Sequence, residues 1–107
     1  MARRRPCKLS YDEATKNQLR AIQVKYHSLI REVIEEQLLF EPEKETHNRK
    51  PLRQPAPFGA TWEIRFGPDN RFRVLYDIDE QTRTVKIMAI GEKRRERLFI
   101  AGEEVQL

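Results

Sequence analysis

Between positions 61 and 90 the chain changes polarity at nearly every residue, in three short runs separated by turn-forming clusters. In the first run Trp62, Ile64 and Phe66 alternate with Glu63 and Arg65; in the second Phe72, Val74, Tyr76 and Ile78 alternate with Arg71, Arg73, Leu75 and Asp77. A period of two is the signature of a strand, because successive side chains leave a pleated backbone on opposite sides. The pattern predicts strands over 61–67, 72–79 and 84–90, joined by turns at Gly67, Pro68, Asp69 and Asn70 and at Asp79, Glu80, Gln81 and Thr82. Connections this short cannot hold a crossover helix, so the three strands form an antiparallel meander. Its apolar face requires a cover, and its other face carries guanidinium groups.

The cover comes from the N-terminal half. Leu19, Ile22, Tyr26, Leu29, Ile30, Val33, Ile34 and Leu38 recur every three or four residues, the period of an amphipathic helix, and Glu41 with Pro42 ends the pattern. One rod over 12–40 would be about 43 Å long, against a diameter of about 34 Å for a compact chain of this size. A split into an antiparallel helix hairpin near His27 and Ser28 follows. Residues 6–11 read as a short strand, with Ser10 or Asp12 as helix cap and Ser10 and Glu13 at capping-box spacing. Three prolines among polar residues make 43–58 a loop, and 92–99 reads as a short C-terminal helix. The expected fold class is α+β: one domain over 1–107, with an N-terminal strand and helix hairpin packed on the meander, a basic tail at 1–5 and a loose tail at 102–107.

With 107 residues there is room for one core. Charge is unevenly placed: six glutamates against Lys44 give 32–45 a net charge of −5, whereas twelve Lys and Arg against seven acids give 49–97 a net charge of +5. An acidic helical end and a basic sheet face point to a polyanionic partner. Cys7 is the single cysteine, which excludes an internal disulfide and suits a reducing, cytoplasmic setting. No run of 18 apolar residues exists, so no membrane association is expected. Metal-ligand spacing, a glycine-rich phosphate loop and a nucleophile elbow are all missing from the sequence, so no cofactor or metal is expected.

Guanidinium groups bind phosphate oxygens in pairs and stay charged at any working pH. Arg65 and Arg73 on adjacent strands are placed to hold one phosphodiester, and Lys93, Arg94, Arg95 and Arg97 crowd the same end of the sheet. Arg49, Lys50, Arg53 and Arg71 extend the basic surface. Cations so arranged also stabilise the added charge of a phosphorane-like transition state. Without a metal, RNA cleavage needs a base for the 2′-OH and an acid for the leaving 5′-oxygen. Glu63 is the carboxylate central to the basic face, as that base or as an ion-pair partner orienting Arg65 or Arg73. His47, before the sheet, is either solvated or a proton-exchanging group, and His27 reads as a surface or capping residue. Trp62, Phe72 and Tyr76 alternate with the arginines and are core residues first.

The order of strand, helix hairpin, proline-bearing loop, meander and basic terminal segment resembles the RelE/ParE superfamily of bacterial type II toxins. Asn48 to Arg53, Trp62 to Phe66, Arg71 to Tyr76 and Ala89 to Lys93 carry the resemblance, which spans Cys7 to Ile100. RelE-like members are ribosome-dependent mRNA endoribonucleases, ParE-like members inhibit DNA gyrase, and both are held by a cognate antitoxin. The resemblance implies a toxin that cuts mRNA on the ribosome, with Arg65, Arg73 and Lys93 or Arg94 at the phosphate. The alternatives are a noncatalytic gyrase inhibitor and a degenerate relative that only binds antitoxin or nucleic acid. Two positions depart from the ribonuclease pattern: Glu63 stands where a lysine base is proposed, and Phe99 where a tyrosine lies. Phenylalanine can neither hydrogen-bond nor exchange a proton.

Overall fold

The computed structural model describes residues 6–54, 56 and 58–106, so the basic tail at 1–5 lies outside the described residues. The elements in chain order are β1 (Lys8–Tyr11), α1 (Ala14–Arg20), a 3₁₀ turn (Val24–Tyr26), α2 (His27–Leu38), β2 (Arg49–Pro51), β3 (Trp62–Phe66), a 3₁₀ turn (Pro68–Asn70), β4 (Phe72–Asp79), β5 (Thr84–Arg94), β6 (Arg97–Ile100) and β7 (Glu103–Val105). The sheet runs β2-β3-β4-β5-β6-β7 with antiparallel neighbours, and β1 joins the start of β5 in parallel. The α+β class and the meander stand as the alternation requires.

All eight apolar positions of the helical pattern reach the core: Ile22, Ile30, Ile34 and Leu38 are buried, and Leu19, Tyr26, Leu29 and Val33 pack against them. They meet the inner face of the sheet, Ile64, Phe66, Phe72, Val74, Tyr76, Val85, Ile87 and Ile90. Each fully buried aliphatic or aromatic side chain contributes about 1.5–3 kcal/mol. Glu13 is the residue at the cap position of α1, and just before it the Asp12 carboxylate accepts the Ala14 N–H at 3.1 Å, whereas Ser10 is paired in β1.

The helix break falls at 21–26 instead of at His27 and Ser28. Length alone does not impose it, because the domain is 44 Å along its longest axis. The His27 Nε2–H donates to the carbonyls of Leu19 at 2.8 Å and Ile22 at 2.9 Å, tying the start of α2 to the end of α1, where the Leu19 carbonyl also accepts the Ile22 N–H.

Three expectations along the chain are corrected. The 43–58 loop contains β2, an edge strand that tolerates Pro51 because its unbonded side faces outward. The short C-terminal helix over 92–99 does not form: β5 continues through Gly91 to Arg94, turns at Arg95 and Glu96, both at positive φ, and returns as β6. In the tail expected to be loose, Glu103–Val105 is a strand paired with β6. Gly91 permits this hairpin, because a Cβ there would lie 2.9 Å from both Leu98 Cδ1 and the Phe99 carbonyl oxygen.

Within β5, Met88 has no partner on β4, where Leu75 faces Ala89 and Tyr76 faces Ile87. This bulge shifts the alternation so that Val85, Ile87, Ile90 and Glu92 share the helix side. The freed Ile90 N–H donates to Gln18 Oε1 at 2.8 Å, and Gln18 is itself buried. Gln18→Leu is therefore expected to cost about 1–3 kcal/mol by stranding that N–H. The check is the urea midpoint at unchanged m-value; an unshifted midpoint would refute the pairing.

The outer face of the sheet is not open throughout. Ala56 and Ala60 from the proline-bearing loop bury against Leu75, Ala89 and Leu98, with Leu52, Phe58, Met88 and Ile100 around them. The loop thus closes the middle of that face over a second small core. The part left for chemistry is the end where β2, β3 and β4 carry Lys50, Arg65 and Arg73.

Candidate nucleic-acid interface

Antiparallel register sets the centre of the site: Arg65 on β3 is directly opposite Arg73 on β4, and Glu63 is opposite Leu75 on that same face. Like charges directly opposite one another destabilise a sheet. Glu63 offsets part of this. Its Oε1 accepts from Arg65 Nε at 3.1 Å and Nη2 at 3.0 Å, and Lys50 Nζ lies 3.6 Å away. Glu63 is only 2% exposed, so two cations and the sheet enclose it. The ion-pair reading of Glu63 describes its contacts.

Arg73 has no such compensation. Its buried Nε lacks a hydrogen-bond acceptor, and its guanidinium makes no ion pair with a described residue. Burial, then the neighbouring Arg65 charge, lowers its pKa from the ordinary arginine value, while Glu63 and Glu96 oppose this more weakly. A desolvated cation beside a second cation is a site that gains from an anion. Lys93 lies on this face too, since Gly91 opposes Arg73 and Lys93 follows by two; its Nζ is 3.6 Å from the exposed Glu96 carboxylate.

Other cations read as part of the same surface are placed differently. Arg71 precedes β4 and turns toward the helices: its guanidinium stacks over the Tyr26 ring at 4.9 Å, and its Nε donates to Glu92 Oε2 at 2.5 Å. That bond is the main reason its pKa is raised. Arg94, opposite in phase to Lys93, donates to Glu92 Oε1 at 3.1 Å and lies over the Phe99 ring at 5.6 Å. Arg71, Arg94 and Phe99 are thus on the helix side, away from Arg73. Of Lys93 and Arg94, only the lysine shares the arginine pair's face. Arg71 and Arg94 still reach the sheet end, where they line a shallow cleft with Lys93, Arg95, Asp69 and Glu96. Arg49 is buried: it donates to the Glu41 carbonyl and, at 3.4 Å, to Gln37 Oε1. Arg53 and Arg95 are exposed.

Glu92 escaped the sequence reading, although an acid two residues beyond Ile90 in strand phase marks a buried carboxylate. Asn48 and Asn70, named there only in the resemblance-bearing run and in a turn, have no site role in the sequence reading. With His47, Lys50 and Arg65 they line a cleft of about 280 Å³ at the β2–β3 edge. Among the described residues no group of three or more metal-ligating side chains occurs, and no helix is long and apolar enough to cross a membrane.

The fold has a solved counterpart. A chain of the toxin–antitoxin complex RelBE2 from Mycobacterium tuberculosis superposes with a TM-score of 0.68 at 22% identity, covering 87% of this chain and 98% of that one. This chain has the fold of a toxin–antitoxin component. At that identity the likeness is one of architecture, and the placement of Arg65, Arg73 and Lys93 is a property of this chain's own register. No protein-family model and no curated protein matches the sequence.

Proposed function

We propose that the protein is the toxin of a type II toxin–antitoxin pair and acts as a RelE-like endoribonuclease on mRNA in the ribosome. The observation that carries this reading is the half-buried guanidinium of Arg73, which makes no ion pair with a described residue, directly across the strand from Arg65. A phosphodiester between them would meet the accessible ends of the two guanidinium groups and relieve the repulsion, an effect that grows as the phosphate gains charge. Arg65 and Arg73 hold the scissile phosphate, with Lys93 at its flank. Glu63 positions Arg65 through its two N–H···O contacts.

Attack by the 2′-oxygen forms a new bond to phosphorus as the bond to the 5′-oxygen breaks. The 2′-OH proton must leave and the 5′-oxygen must acquire one. We assign proton exchange to His47, which shares the edge cleft with Arg65. A tyrosine at position 99 would not serve this reaction, because that side chain lies on the other side of the sheet. The partner is a cognate antitoxin, as the likeness to a toxin–antitoxin complex supports, and the place of action is the cytoplasm.

A second reading, a ParE-like inhibitor of gyrase, draws on the enclosure of Glu63 by Lys50 and Arg65, which withdraws the central carboxylate from proton transfer. Induced expression separates the two. Growth arrest with new mRNA ends inside translated codons is expected; arrest with intact mRNA and inhibited supercoiling selects gyrase, and no arrest at all removes both.

A further inference from the structure

We propose that the cleft lined by His47, Asn48, Lys50, Arg65 and Asn70 is a nucleotide subsite that reads the base adjoining the phosphate held at Arg65 and Arg73. The inference rests on the phosphate reading above and extends it from charge to base identity.

At about 280 Å³ the cleft is near the lower end of small-ligand pockets, roughly 300 Å³. Its lining is two cations, an imidazole and two carboxamides, with no carboxylate. The sheet-end cleft contrasts with it in being lined by Asp69 and Glu96; both clefts have paired cations, Arg71 and Arg94 with Glu92 there and Lys50 and Arg65 with Glu63 here. A carboxamide offers an acceptor and two donors, the groups that pair with base edges. Neither Asn48 nor Asn70 uses its side-chain amide on another described residue.

The cleft and the phosphate clamp are mechanically joined. Arg65 belongs to both, and its backbone N–H donates to the Asn48 carbonyl at 2.8 Å. Asn70 is held on the opposite wall by a tight turn: Asp69 and Asn70 both adopt positive φ, and the Asn70 N–H donates to the Gly67 carbonyl at 3.1 Å. Asparagine is among the few residues that tolerate that backbone. A nucleotide with its phosphate at the arginines would set its ribose by His47 and its base between the two amides.

The test is an NMR titration of the full ¹⁵N-labelled chain with inorganic phosphate and then with each of the four ribonucleoside 5′-monophosphates. Phosphate alone is expected to move the Arg65 and Arg73 Nε–H signals. The nucleotides should also move the Asn48 and Asn70 side-chain amides, with affinities that differ among the four bases. Asn70→Gly, which removes the amide and suits the positive φ, is expected to weaken nucleotide binding about three- to tenfold, narrow the spread among bases and leave phosphate binding unchanged. Nucleotides that move only what phosphate moves would overturn the subsite while leaving the clamp. Unchanged base preference in Asn70→Gly would do the same. Amide shifts without any arginine response would support the cleft and remove the clamp.

Discussion

Arg73→Ala is expected to lower ribosome-dependent mRNA cleavage about 10²–10³-fold, the usual cost of removing one preorganised donor to a developing anion. The same change should leave the domain as stable as before or slightly more so. In the free protein Arg73 makes no ion pair with a described residue, opposes Arg65 and has a buried Nε without an acceptor. A residue kept only for solubility or packing would show the reverse: little loss of activity and some loss of stability. Cleavage rates and urea midpoints on one preparation distinguish the two. Phosphate or sulfate should stabilise the wild type by about 1.4 kcal/mol at tenfold excess over its Kd, and this increment should vanish in the variant. Undiminished cleavage by Arg73→Ala would end the assignment.

Phe72→Ala should have the largest effect on folding. Phe72 is fully buried at the start of β4, with the Tyr26 ring 5.0 Å and the Phe66 ring 5.8 Å away. Truncating a buried phenylalanine costs about 3–5 kcal/mol, which at this chain length lowers Tm by roughly 12 °C or more. Phe40, 44% exposed, provides the control; its alanine variant should stay within about 0.5 kcal/mol. Equal melting temperatures for the two variants would contradict the core described here. The two residues adjoin, so Phe72→Ala is also expected to blunt activity by loosening the strand that carries Arg73. Arg73→Ala should do so without moving Tm.

The helix pattern and the three meander strands were legible because burial imposes a period that survives in the residue order: 3.6 for Ile30, Ile34 and Leu38, two for Trp62, Ile64 and Phe66. The C-terminal hairpin was not. Lys93, Arg94, Arg95 and Glu96 suit a helix by composition, and only the close approach that Gly91 allows lets β6 return beside β5. The helix break at 21–26 contains neither proline nor glycine, and a histidine reaches back across it to the carbonyls of Leu19 and Ile22. Strand β2 was hidden because three residues ending in Pro51 are too few to show alternation.

In the candidate site, alternation alone puts Glu63, Arg65 and Arg73 on one face, and phase separates Lys93 from Arg94 once β5 is seen to continue. Residue order by itself determined that this chain would be a helix-covered antiparallel sheet with arginines on its other side. Tertiary structure decided which cations are free to meet an anion. Arg49 is buried under Glu41 and Gln37, Arg71 and Arg94 are bound to Glu92, and Arg65 is held by Glu63. Arg73 is left without a described partner. The reason is physical: periodicity records which side of the backbone a residue leaves from, whereas an ion pair depends on what the rest of the chain brings to meet it.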